Sequence, residues 1–162
     1  MKKLWMTLGT KDFLLSLRDQ NEKLIVMEEL DGDARAIIED EEQHVLKEPR
    51  EYDIVEAIGD LKPYGYIVLN NIPVTSEGGP ILENKFKQRS GSIESAEGFV
   101  AFRILRPTRD NTYVILTQWR QVDDFMQWRN SQDFKKSHAK QEESPTYVSG
   151  HSYVTQLDVI EP

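Results

Sequence analysis

With 162 residues, 38% hydrophobic and 30% charged, the chain holds enough apolar side chains for a packed core and is too mixed for disorder. It has no cysteine, which excludes disulfides, thiolate metal sites and cysteine nucleophiles. Its net charge of −8 falls within residues 1–60, which carry 16 acidic and 8 basic side chains, and an acidic half of this kind argues against a nucleic-acid partner.

Gly9, Lys11 and Asp12 interrupt the apolar start of the chain, so no signal peptide is expected, and no run is long enough to span a membrane. A soluble cytoplasmic protein is the expectation. Residues 4–8 alternate and predict a strand. Thr10 is a fitting N-cap for a helix over 11–19, with Phe13, Leu14 and Leu17 on one face. Strands follow at 24–27 and 34–38, joined by the turn Asp31-Gly32-Asp33. The acidic run Glu39-Asp40-Glu41-Glu42 predicts a solvated turn. After Pro49, the spacing of Tyr52, Ile54, Val55 and Ile58 predicts a helix that ends at Gly59 and Lys62-Pro63-Tyr64-Gly65.

The second half repeats this order. Residues 66–74 predict a strand. Gly78-Gly79-Pro80 opens a helix to about residue 90, with proline near its first position. Strands at 99–105 and 113–120 flank the turn Thr108-Arg109-Asp110-Asn111, helices at 123–130 and 131–140 follow, and a last strand spans 148–159. The two halves predict two copies of one α+β plan, each an antiparallel sheet with helices on one face. The expected division is an N-terminal half-domain, 1–63, and a C-terminal domain, 64–162.

Strand parity places Tyr66, Val68, Asn70, Ile72 and Val74 on one face, and Ile67, Leu69, Asn71 and Pro73 on the other. Asn70 therefore shares an apolar face, where its amide needs a backbone, water or ligand partner, unless a bulge forms at Asn70-Asn71. Trp128 and His138 lie ten residues apart on predicted helices. A helical imidazole facing an aromatic side chain can hold a flat, iron-containing ligand; a surface histidine and a core tryptophan are the ordinary alternatives. His44 and His151 have no companion ligands and read as surface or sheet residues. No dinucleotide, P-loop, zinc-protease or nucleophile-elbow motif is present. Ser137-His138 and His151-Ser152 lack the strand–turn–helix context of a hydrolase.

Asn70, Glu97-Gly98-Phe99, Trp128, Ser131 with Phe134-Lys135, and His138 together resemble the haem-degrading monooxygenases of the antibiotic-biosynthesis-monooxygenase (ABM) superfamily, IsdG type. Leu69-Asn70-Asn71-Ile72-Pro73-Val74-Thr75 and Leu105-Arg106-Pro107 are most similar to its longer bacillary type. The resemblance implies a ferredoxin-like α+β fold whose two halves form a pseudo-dimeric barrel in one chain, acting as a monomer. It implies His138 as the axial ligand of haem iron, Trp128 pressing on the macrocycle, and Asn70, or else Asn71, as the distal hydrogen-bonding residue. Lys85 and Arg89, at i and i+4 of one helix, match positions that face the haem carboxylates; a solvated helix face is their alternative. Haem would be both substrate and prosthetic group, with O2 and an external electron donor, an unidentified reductase, completing the reaction that releases iron. Two other functions stay open: a non-catalytic haem carrier or sensor, and a regulatory protein of the staphylococcal TRAP kind.

Overall fold

The computed structural model of the chain describes residues 1–131 and 146–162. The elements run β1 (Lys3–Gly9), α1 (Lys11–Arg18), β2 (Ile25–Glu28), β3 (Ala34–Asp40), β4 (Arg50–Ile58), β5 (Tyr66–Pro73), α2 (Gly79–Ile93), β6 (Phe99–Pro107), β7 (Thr112–Trp119), α3 (Val122–Arg129) and β8 (Tyr153–Val159). The strands close into one antiparallel barrel in the order β1-β3-β2-β8-β5-β7-β6-β4. This is the ferredoxin-like ABM fold expected from the sequence.

The order has an internal two-fold. In the first half β4-β1-β3-β2 lie side by side; in the second, β8-β5-β7-β6 do. The last strand of each half pairs with the second strand of the other, β4 with β6 and β8 with β2. Each half thus closes the open edge of its partner, and no edge strand is left to aggregate.

Alternation along the strands sorts the core into three layers. Leu4, Met6, Ile37, Tyr52, Ile67, Leu69, Leu116 and Leu157 fill the barrel interior. Trp5, Val26, Ala36 and Ile38 face outward on the first half, where Leu14 of α1 and Leu46 cover them. Tyr66, Val68, Ile72, Ile104 and Ile115 face outward on the second half, beneath Leu82 and Ile93 of α2 and Phe125 of α3. Thr10 caps α1 by accepting from the Phe13 amide at 3.3 Å. Leu14 is the residue α1 buries, whereas Phe13, expected on the same face, is 57% exposed.

The helix expected after Pro49 is a strand, β4. Tyr52 and Ile54 face the interior, as alternation requires. A bulge between Ile54 and Glu56 then inserts Val55 and reverses the phase, so Ile58 packs on the outer layer with Val55. That reversal spaces the apolar residues as a helix would.

The acidic run after Ile38 is also less solvated than expected. Glu39 and Asp40 end β3, and Glu39 forms a bidentate pair with buried Arg103 of β6, at 2.7 and 3.2 Å. Arg103 further donates to the carbonyls of Ile58, Gly59 and Phe102. The connection between the halves is tied down by Gln118, which accepts from the Lys62 amide and donates to the carbonyls of Lys62 and Tyr64. Gly65, at φ 90°, ends this connection; a Cβ there would lie 2.1 Å from the Trp119 carbonyl oxygen. Among the described residues, no helix is long and apolar enough to cross a membrane.

Candidate functional site

The described residues leave part of the outer layer of the second half unfilled. A cavity of about 340 Å³ opens between α2, α3 and the strands β5, β7 and β8. Val68, Phe86, Ile93, Phe102, Ile115, Phe125 and Val154 give it apolar walls. Asn70, Arg89, Thr117, Trp128, Arg129 and Gln156 supply its polar groups. Among the described residues, two arginines line it and no carboxylate does, so their field favours an anionic ligand.

Each of these side chains is placed by its element. Asn70 is half-buried on the outward face of β5, between Val68 and Ile72. Its neighbour Asn71 points inward and is buried, its amide donating to the carbonyls of Leu69 at 3.2 Å and Tyr153 at 3.1 Å and to the Thr155 hydroxyl at 3.2 Å. No bulge separates the two: both pair in register with β7 and β8. Trp128 comes from the last turn of α3 and packs on buried Trp119, ring centroids 5.5 Å apart, with Phe125 at 6.5 Å. Trp119 in turn donates to Thr117 at 3.0 Å and meets Phe99 edge-on. The strand end and α3 therefore present the indole of Trp128 on a rigid aromatic base.

The start of α3 explains this placement. Asp123 and Asp124 sit in its first turn and Arg129 in its last, matching the helix dipole. Asp124 is buried against Gly98, where a Cβ would lie 2.1 Å from the carboxylate and φ is +78°. Only glycine allows α3 to approach the sheet this closely.

On α2, Arg89 faces the cavity and Lys85 does not. The Arg89 guanidinium stacks near Phe86 at 5.6 Å, and its Nη1 is sealed from solvent with no hydrogen-bond partner among the described residues. Lys85 lies over the Tyr147 ring at 4.9 Å. In the second turn of the helix, Glu83 anchors α2 to the sheet, accepting from Arg106 at 3.0 and 2.7 Å and from the Tyr113 hydroxyl. Burial opposes ionisation of Glu83, yet the bonds from Arg106 and Tyr113 hold its carboxyl below the usual range. Burial and the Glu83 charge push the Tyr113 phenol up to about 12.

The fold thus brings Asn70, Trp128 and Arg89 to one cavity. His138 lies outside the described residues, as does the predicted helix 131–140 beyond Ser131. His44 and His151 are exposed. Thr117, Arg129 and Gln156 were not expected at a site. Gln156 was within reach of parity, since β8 alternates outward at Val154 and Gln156 and inward at Thr155 and Leu157. Its register against β5, Gln156 opposite Val68, was not. Gln156 accepts from the Tyr66 hydroxyl at 2.7 Å.

Residues 65–140 are similar to the antibiotic biosynthesis monooxygenase family. Over 142 residues the chain is 29% identical to the signal transduction protein TRAP of Staphylococcus aureus, covering 87% of this chain and 85% of that one. The curated relatives carry this name rather than that of HmoB, the longer bacillary member the motifs suggested. Among solved structures, a major regulator of staphylococcal pathogenesis superposes with TM-score 0.88 at 25% identity, covering 99% of this chain and 100% of the other. LmHde, a heme-degrading enzyme from Listeria monocytogenes, shares the fold with TM-score 0.75 at 19% identity over 99% of both chains. A variant of MhuD with two manganese protoporphyrin IX molecules per active site matches 60% of this chain and 96% of its own, with TM-score 0.51 and 26% identity.

Proposed function

We propose that this chain binds haem in the cavity between α2, α3 and the C-terminal sheet, and that it oxidatively opens the porphyrin ring and releases iron. The observation that carries this is the joint placement of Asn70, Trp128 and Arg89 around an apolar cavity with no carboxylate among its described lining, in the part of the chain similar to the ABM family. The donor set fits the ligand. Arg89 offers a buried guanidinium nitrogen with no partner among the described residues, which suits a haem carboxylate. The apolar walls suit a flat hydrophobic ring.

Bound haem supplies the redox chemistry, using O2 and electrons from an external reductase, and is itself consumed. The chain's own residues bind, orient and exclude water. Arg89 fixes the carboxylate edge. Trp128, backed by Trp119 and Phe125, would pack against the haem and help hold it. Asn70, held by a strand paired on both sides, would offer its amide to the bound haem and oxygen. His138, ten residues beyond Trp128, would hold the haem iron. The chain would work as a monomer, because the first half supplies the sheet that closes the barrel.

Haem titration tests this. One equivalent should shift the Soret band, and His138→Ala should remove the axial-ligand signature. An unchanged ferric spectrum in His138→Ala would reject the assignment of the ligand.

A second function, regulatory rather than enzymatic, is favoured by one observation: relatives matching most of the chain are named for signal transduction. A haem complex that stays intact with a competent reductant would favour a carrier or sensor. Failure to bind haem would favour the regulatory function.

A further inference from the structure

The interior rows of the barrel do not end in apolar residues at every opening. Leu4, Met6 and Leu8 form one inward row on β1, and the register continues it across the neighbouring strands: Met6 lies opposite Ile37 and Arg50, and Leu8 opposite Arg35. Arg35 and Arg50 thus occupy inward positions at one mouth of the barrel. A second cavity, of about 230 Å³, opens there, lined by Met6, Thr7, Leu8, Arg35, Glu48 and Arg50. It belongs to the N-terminal half and is separate from the cavity described above.

The charges at this mouth are not balanced by pairing. Among the described residues, no ion pair includes Arg35 or Arg50. Among the described residues, Arg35 Nη1 meets the Met6 sulfur at 3.6 Å, and its Nε is sealed from solvent without a hydrogen-bond partner. A guanidinium donor buried and unmatched costs free energy that a suitable acceptor recovers. Glu48 lines the cavity from a left-handed backbone, φ 50°, and is itself exposed. Beside the mouth, the Tyr52 phenol interacts with Arg50, by a side-chain hydrogen bond and by charge, and then with the charges of Asp110 and Arg35. Met6 and Leu8 add an apolar wall beside the two cations.

We propose that this barrel mouth is a second binding site, in which Arg35 and Arg50 hold the oxyanion group, carboxylate or phosphate, of a small molecule. Two planar guanidinium groups lining one cavity match a multidentate oxyanion. The apolar wall accommodates a short carbon chain.

The test uses the full-length protein, 15N-labelled, with the arginine Nε–H resonances followed by NMR. Inorganic phosphate and hexanoate are titrated separately at constant ionic strength. The Arg35 Nε–H resonance should move saturably with at least one of them. Arg50→Gln, at an exposed position, should weaken that binding about tenfold. Response to phosphate alone assigns a phosphate group, and response to hexanoate alone assigns a carboxylate with an aliphatic tail. The wild-type shift of the Nε–H resonance stands whether or not any variant folds. Absence of a saturable shift with both probes would overturn the proposal, as would saturable binding unchanged in Arg50→Gln.

Discussion

Replacing Arg103 with leucine removes the ion pair that joins the two halves inside the barrel. Its side chain is 3% exposed, and that of Glu39 17%, so solvent screens the pair little. The guanidinium donates to both oxygens of Glu39 and to three backbone carbonyls, two of them, Ile58 and Gly59, at the start of the connection between halves. Leucine fills much of the volume but leaves the Glu39 carboxylate and these carbonyls without their donor. Breaking one side of a buried pair costs about 3–5 kcal/mol, which for a chain of this size lowers Tm by roughly 10 °C. Urea unfolding, followed by far-UV circular dichroism and by tryptophan fluorescence, measures the loss. Trp5 reports on the first half and Trp119 and Trp128 on the second, so coincident transitions are expected from a barrel closed by both. Adding Glu39→Leu should recover part of the stability, because the stranded charge goes with it. A loss below about 1 kcal/mol, the range of an exposed pair, would refute the reasoning, and so would two separate transitions.

Gly98→Ala should cost at least about 2 kcal/mol, since it strains the left-handed backbone and drives a Cβ into Asp124; a thermal melt checks it, with Trp128 fluorescence reporting the displaced α3. Asn71→Ala should lower stability by about 1–3 kcal/mol by leaving the Tyr153 and Leu69 carbonyls unmatched, while Asn70→Ala leaves it nearly unchanged; chemical denaturation distinguishes them. Because the folded pKa of Glu83 is depressed, its contribution is present above the unfolded value near 4.5 and is lost as pH falls through the lower folded value; Glu83→Gln should flatten this acid limb in pH-dependent melts. Tyr113, raised from 10.0 to about 12, contributes stability that is full below pH 10 and lost as pH rises through 12; a phenolate absorbance titration should lack this late step in Tyr113→Phe.

Much of the second half was legible because its strands are long and regular. The alternation of residues 66–74 put Asn70 and Asn71 on opposite faces, and the barrel keeps that parity, with Asn70 outward and Asn71 inward. β4 was misread for a specific reason: the bulge at Val55 turns a two-residue period into an apparent helical one. A bulge is dictated by the partner strand β6, nearly fifty residues away in sequence, and local pattern does not carry it. Glu39 and Arg103 illustrate the same limit. Each alone is a charged residue in a strand, and only the register between halves shows them as a buried pair. Lys85 and Arg89 share a helix face by spacing, yet one reaches Tyr147 and the other the cavity, because the two lie one turn apart at its edge. The cavity's β8 residues, Val154 and Gln156, depended on a pairing that no local signal fixes.

The central claim is that the cavity carries out haem opening, and it is tested most directly by aerobic incubation of the haem complex with ascorbate and catalase. The wild-type complex should lose its Soret band and release iron to a chelator. Asn70→Ala should bind haem nearly as well yet turn over at least about tenfold more slowly, since its proposed contact is made during the reaction rather than to the resting complex. A wild-type complex that keeps its Soret band for hours, with an independent reductase also failing to bleach it, would contradict the account.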